Sequence, residues 1–293
     1  MSLPPILPVG TSVTTKVALD GRPVGSVGTV VQAPGDLQHA YRIRFSDGAE
    51  VALPRRTFGV RRHDKNWLPS AERDLAPFVQ YRCVVGSRAF GLDTAGSDTD
   101  LRGFFLPPAR DDWSLEGVPE QLEHGEEVYW EARKFVLLAL KANPNVLEVL
   151  YSPHVLTATP IARDLLDLRG AFLSRLVYQT YAGYVAGQFR RIEADLRQHG
   201  QVRWKHAMHL LRLLMGGTHL LQTGVVLLDV GAEREALLAI KRGEVPWPEV
   251  EAWRAALHRE FEAAYAATTL PERPDYAAVQ DWLIRARRAA LEW

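Results

Sequence analysis

Two short stretches concentrate the side chains capable of phosphate chemistry. Val84-Val85-Gly86-Ser87-Arg88-Ala89-Phe90-Gly91 places a Gly-Ser pair after an apolar run, and ten residues further on comes Ser97-Asp98-Thr99-Asp100-Leu101-Arg102-Gly103-Phe104-Phe105. The apolar run reads as a buried strand, and the pattern predicts a helix N-terminus at Gly86-Ser87. Free backbone N–H groups there point at an anion, and glycine permits close approach. The Ser87 hydroxyl adds a further donor for a phosphate. If 98–105 is a strand, Asp98 and Asp100 project from one face. Two neighbouring carboxylates repel unless a cation lies between them. Mg²⁺ (or Mn²⁺) supplies that cation and takes triphosphate oxygens as its other ligands. Two such ions can activate an attacking hydroxyl and stabilise departing pyrophosphate. The competing reading is a polar Ser-Asp-Thr-Asp turn at a strand end. Arg88 and Arg102 flank the motif, as contacts to phosphate or RNA or as plain surface charges.

Stepping outward, residues 78–85 read as the strand that delivers Gly86. Helical periodicity predicts helices near 131–142, 144–151, 160–168, 171–198, 203–224, 231–242, 248–267 and 275–292. Asn143-Pro144 supplies an N-cap followed by proline at the first helical position. In the helix at 203–224, Leu210, Leu211, Leu213, Leu214, Leu220 and Leu221 form an apolar stripe. Lys205, His209 and Arg212 share another face, with His206 nearby. They form either a triphosphate clamp or a solvated basic face with core histidines. Tyr181, Tyr184 and Gln188 follow one another at helical spacing and read as core aromatics, with base stacking as the second option. Trp204, Trp247 and Trp253 read as packing residues.

Residues 11–62 form a different kind of segment. Thr11–Val17, Gly25–Val31, Tyr41–Phe45 and Glu50–Leu53 have strand character, and Ser46-Asp47-Gly48 is a turn. Short strands at this density predict an SH3-like barrel. Residues 1–66 carry nine Lys/Arg against five Asp/Glu, a local excess of positive charge. Arg42, Arg44, Arg55, Arg56, Arg61 and Arg62 are its candidate contacts to an RNA backbone. A linker follows, with Ser70 as a helix N-cap. The expected division is 1–66 for the barrel, 67–152 for a small mixed-sheet catalytic core and 153–293 for an α-helical bundle, an α+β chain overall.

Composition narrows the class. Hydrophobic residues make up 47% and charged residues 24% of the 293, ordinary for a globular protein. The formal net charge of zero argues against a uniformly basic nucleic-acid coat. Cys83 is the only cysteine, so no intrachain disulfide or cysteine metal cluster can form, and its apolar neighbours predict a small buried residue. The N-terminus has no basic stretch before its apolar part and no segment has membrane-span length, so a cytoplasmic, membrane-free protein is expected. No Walker loop, His-Glu-x-x-His or Gly-x-Ser-x-Gly elbow is present, and the histidines lack zinc-ligand spacing.

The GSRAFG…SDTDLRGFF stretch resembles the polymerase-β-type nucleotidyltransferase superfamily. Arg133-Lys134-Phe135, residues 141–150 and Lys205-His206-Ala207-Met208-His209 resemble one subfamily more narrowly. It is the RNA-ligase-associated nucleotidyltransferases, bacterial and phage proteins found with RNA repair genes. The likeness spans about 78–290 and leaves the β module outside. It implies transfer of a nucleoside monophosphate from a nucleoside triphosphate to a hydroxyl, most naturally an RNA 3′-OH such as a tRNA end, with RNA-repair proteins as partners. It also implies a third carboxylate on a neighbouring strand. In Glu126-Glu127-Val128-Tyr129-Trp130-Glu131, Glu126 matches that acid best, Glu127, one residue off and facing the opposite side, is the second candidate for the catalytic acid, and Glu131 suits a helix start. The implied metal ligands are Asp98, Asp100 and Glu126. Gly86, Ser87, Arg88, Arg102, Lys205, His209 and Arg212 are the implied triphosphate contacts. Two alternatives stay open: a protein or small-molecule acceptor, and a catalytically weak RNA- or partner-binding protein.

Overall fold

The computed structural model describes residues 6–19, 21–36, 39–60, 74–200 and 202–293. They belong to two compact units, Met1–Glu72 and Arg73–Trp293. No helix is long and apolar enough to cross a membrane among the described residues.

Five strands build the first unit: β1 (Ser12–Thr15), β2 (Val27–Gln32), β3 (Tyr41–Phe45), β4 (Glu50–Leu53) and β5 (Phe58–Val60). They form an antiparallel sheet of order β4-β3-β2-β1-β5. Strict alternation buries Tyr41, Ile43 and Phe45 and exposes Arg42 and Arg44, as the two-residue period of a strand requires. The core is Val13, Val30, Tyr41, Ile43, Phe45, Leu53 and Phe58. Its Tyr41 and Phe58 rings meet edge to face at 5.3 Å. No pairing joins β4 to β5 among the described residues, so the unit is an open five-stranded sheet in its hydrogen bonding.

Much of the unit's positive charge is spoken for locally. Glu50 takes Arg44 at 2.7 Å and Arg42 at 3.8 Å. Arg22 pairs with Asp47 and lies over the Phe45 ring. Arg55 donates to the Phe58 carbonyl at 3.1 Å. Arg56 is exposed. Arg61 and Arg62, together with the expected linker and the Ser70 cap, lie outside the described residues.

The second unit is a mixed sheet whose helices share one core with it. Its strands are β6 (Val79–Val85), β7 (Asp100–Phe105), β8 (Gln121–His124), β9 (Glu127–Glu131) and β10 (Val155–Ala158). Their order is β10-β6-β7-β9-β8, with β7 and β9 parallel and the other neighbours antiparallel. The short α1 (Ala109–Asp112) lies between β7 and β8. β9 passes directly into α2 (Ala132–Leu140), because the Glu131 side chain accepts the Arg133 and Lys134 amides at 3.0 and 3.1 Å. Asn143 caps α3 (Pro144–Tyr151) the same way.

One sheet face presents Tyr81, Cys83, Val85 and Phe104 to Phe135, Val146 and Val149 of these helices. α4 (Pro160–Asp167), α5 (Leu176–His199), α6 (Trp204–Thr223), α7 (Arg234–Arg242), α8 (Trp247–Ala267) and α9 (Tyr276–Ala289) complete the unit. Leu210, Leu211, Leu214 and Leu221 of α6 belong to the same apolar cluster as the sheet. α9 returns to the sheet, where the Trp282 ring meets Phe104 edge to face at 5.9 Å and Arg287 pairs with Glu131 at 2.5 Å, while Trp282 donates to the Ile161 carbonyl of α4 at 3.2 Å.

Candidate active site

The register of β6 on β7 sets the site. Val85 pairs with Asp100, the last pairing at this end of the two strands. Gly86 follows at φ +70°, and a Cβ added to it would sit 2.5 Å from Asp100 Oδ2. Only glycine lets the chain turn this close to the carboxylate.

Two local expectations change here. No regular helix follows Gly86-Ser87. The chain makes one tight turn, closed by Phe90 N–H on the Gly86 carbonyl at 3.2 Å and Leu92 N–H on the Ser87 carbonyl at 2.8 Å. Gly91, at φ +66°, ends it. Arg234 of α7 holds that end by donating to the carbonyls of Gly91 and Asp93 at 2.6 and 3.0 Å. β7 begins at Asp100 rather than Asp98. Once β6 has turned away at Gly86 nothing pairs with residues 98 and 99, so Asp98 sits in the approach to the strand and not on its face.

Asp98 and Asp100 nevertheless open into one cleft of about 560 Å³. Gly86, Ser87 and Arg102 line it from the strand ends. Lys205, His209 and Arg212 line it from α6. Lys241 of α7 and Glu148 of α3 also reach it. Carboxylates and cations therefore share one concave surface. Arg102 Nη2 contacts Asp100 Oδ1 at 3.2 Å, while its Nη1 is held by the carbonyls of Leu101 and Glu126.

Beneath the turn lies a buried charge pair. Glu148 Oε1 accepts the Gly86 amide at 2.5 Å, and Glu148 Oε2 lies 3.9 Å from Arg212 Nη1. Burial pushes the Glu148 carboxyl above its ordinary range, and Arg212 and the Gly86 amide pull it back. The Arg212 guanidinium stacks on the Phe90 ring at 3.4 Å and places Nη2 2.9 Å from His209 Nδ1. Its Nη1 is buried on the Glu148 side without a hydrogen-bond partner. An arginine can only donate, so Nδ1 of His209 accepts and the ring proton is on Nε2. Burial, with Arg212, His206, Lys205 and Arg191 around it, lowers the His209 pKa to about 3. His209 is a neutral hydrogen-bond donor near neutral pH.

Other expected residues stay outside. Arg88 is occupied by the Ser97 carbonyl at 3.0 Å and by Asp93 at 3.8 Å. Glu127 faces away from the cleft, bound to Arg82 and the Tyr129 hydroxyl. The register explains it: Glu127 pairs with Leu101, whereas Val128 pairs with Arg102. By alternation Glu126 shares the face of Asp100, but it is exposed beyond the strand end and does not line the cleft. His206 turns to Asp195 at 3.7 Å.

Residues 60–285 match the RNA repair pathway DNA polymerase beta family, RlaP. The chain belongs to this family. The match spans the Gly86 turn, both aspartates and α6, and begins at the end of the N-terminal sheet. A relative by sequence is the uncharacterized protein YcgL of Bacillus subtilis (strain 168), 29% identical over 157 residues. That stretch is 50% of this chain and 58% of YcgL, so the match spans little more than half the relative's length. A solved nucleotidyltransferase-like protein from Exiguobacterium sibiricum 255-15 is 14% identical, aligned over 73% of this chain and 75% of its own, with a TM-score of 0.27.

Two charged cleft residues of this RlaP chain were not singled out as site residues by sequence. Glu148 lies in the stretch 141–150 that resembles the subfamily, where its place in the apolar helix Val146-Leu147-Glu148-Val149 demands a buried partner. Lys241 carries no local signal, since a lysine near a helix C-terminus is common for its charge alone.

Proposed function

We propose that the protein is a divalent-cation-dependent nucleotidyltransferase that moves a nucleoside monophosphate from a nucleoside triphosphate to an RNA 3′-OH. One observation carries the reading: the Gly86-Ser87 turn, Asp98 and Asp100 face the cationic side of α6 across one cleft. Membership of an RNA repair family favours RNA as the acceptor.

Asp98 and Asp100 are the proposed ligands for Mg²⁺ or Mn²⁺. Among the described residues no three His, Cys, Asp or Glu side chains gather into a metal cage. Two carboxylates that leave positions for substrate oxygens suit magnesium, which rarely occupies all-protein cages. A bound cation would neutralise triphosphate charge and lower the barrier to hydroxyl attack. The residues themselves bind and orient. The Ser87 hydroxyl offers a donor to phosphate oxygens, and Arg212 lends its charge from the cleft wall. Lys205 and Lys241 balance their charge from the helical side. His209 Nε2–H adds a neutral donor that keeps its proton through the reaction. Glu148 holds the Gly86 amide and so fixes the turn.

The first unit is proposed as an SH3-like module that grips the RNA backbone. Its internal ion pairs leave it fewer free cations than its composition implies, so binding should weaken with salt less steeply than a count of arginines suggests. A second reading, a protein that binds RNA with little transfer, is favoured by the position of Glu126 outside the cleft.

The test is incubation with labelled triphosphates, Mg²⁺ or Mn²⁺ and an oligoribonucleotide bearing a free 3′-OH. Labelled RNA is expected, and Asp98→Ala with Asp100→Ala should abolish it while the circular dichroism spectrum is unchanged. Full transfer by that double variant would sink the metal assignment. Bound but unlabelled RNA under all metals would favour the second reading.

A further inference from the structure

Past His209 and Asn145, which line both spaces, the cleft adjoins a second cavity of about 400 Å³ on the flank of α5. Gly183 and Gly187 form part of its wall, one helical turn apart. A Cβ at either position would meet nothing within 4 Å. Mid-helix glycine costs about 1 kcal/mol relative to alanine, and packing here does not require it. Their effect is a bare strip of helix facing the cavity. Tyr184 lies between them, its hydroxyl receiving the Asn143 side-chain amide at 2.9 Å. The aromatic face is therefore held in place before any ligand arrives. Of the tyrosines spaced along this helix, Tyr181 is buried in the apolar core and Tyr184 is half-buried against the cavity.

The polar groups around this strip are unsatisfied in a particular way. Gln188 Oε1 is buried and has no hydrogen-bond partner, which is uncommon for a buried acceptor. Arg191 is exposed, and no carboxylate pairs with it among the described residues. An ordered aromatic face, two side-chain amides and a free guanidinium suit a nucleobase with an attached phosphodiester. The cleft beside it already gathers the carboxylate pair and the cations a triphosphate needs, and transfer requires a second substrate within reach of them.

We propose that the α5 cavity holds the terminal nucleoside of the acceptor strand, its base stacked on Tyr184 and its edge read by Gln188 and Asn145. Arg191 takes the adjoining phosphodiester. This assignment rests on the nucleotidyltransferase reading.

The test uses the full chain and a trinucleotide of RNA with a free 3′-OH. Its affinity and that of a fluorescent triphosphate are measured separately for wild type, Gly187→Leu, Tyr184→Ala and Tyr184→Phe. Leucine intrudes on the cavity beside Tyr184 and Phe preserves the stacking face. Trinucleotide affinity should fall about tenfold or more in Gly187→Leu and Tyr184→Ala. It should stay within about twofold in Tyr184→Phe, with triphosphate affinity unchanged throughout. Undiminished trinucleotide binding in both disrupted variants, each folded by thermal melting, overturns the assignment. So does a loss of triphosphate affinity in its place, which would give the cavity to the incoming nucleotide. Wild type that binds the trinucleotide but no triphosphate keeps the cavity as an RNA-end site and defeats the transferase reading instead.

Discussion

The Glu148 carboxylate accepts the Gly86 amide at 2.5 Å and so joins α3 to the turn that opens the cleft. The same carboxylate faces Arg212 at 3.9 Å. Glu148→Ala strands a buried guanidinium and should cost about 3–5 kcal/mol. Glu148→Gln keeps an oxygen for the Gly86 amide and should cost about 1–3 kcal/mol. Urea denaturation orders the two variants. Equal stability of both with wild type would show that the pair is not held as described.

Gly86→Ala tests the turn itself. Alanine in the left-handed region costs about 1–2 kcal/mol, and its methyl would crowd Asp100 Oδ2 at 2.5 Å. Transfer and triphosphate affinity should fall well beyond the loss in stability, because the displaced group is the Asp100 carboxylate. A variant that melts slightly lower but keeps full triphosphate affinity would contradict the close approach.

His209 makes a signed prediction about pH. Its folded pKa of about 3 lies below the ordinary 6.5, so the unfolded chain takes up a proton that the folded one refuses. The stability it contributes is present above pH 6.5 and is lost as pH falls toward 3. The slope is at most about 1.4 kcal/mol per pH unit. His209→Asn, which retains an acceptor for Arg212, should flatten that part of the curve. Denaturation midpoints at pH 7 and pH 5 measure it, and parallel curves for the two proteins would refute it.

Cys83 is fully buried, and burial raises its thiol pKa to about 11. Alkylation by iodoacetamide at neutral pH should therefore track unfolding of the second unit, rising with urea in step with the loss of helix signal. Fast labelling of the native protein would contradict this packing.

Much of the fold was readable along the chain because its signals are local. The helices end within a few residues of the expected bounds, and Asn143-Pro144 caps α3 as its residue types require. The Tyr41–Phe45 alternation shows directly in its burial. The helix expected after Gly86 does not form, since Gly91 and Arg234 end it after one turn. Arg234 lies far along the chain, beyond the reach of any local pattern. The basic count of the first 66 residues overstated its free charge, because Glu50 and Asp47 neutralise arginines from neighbouring strands.

The sequence by itself determined the chemistry on offer: Gly86-Ser87, the Asp98-x-Asp100 pair and a basic stripe at helical spacing on α6. Those depend on residue type and short-range period. Only the tertiary structure decided which groups converge. Strand register sent Glu127 to the far face and left Glu126 at the rim. Packing of α3 on the sheet and of α7 on α6 brought in Glu148 and Lys241. Burial set Glu148 against Arg212. Contacts between distant segments follow from how apolar faces pack, and neighbouring residues in the chain carry no record of that.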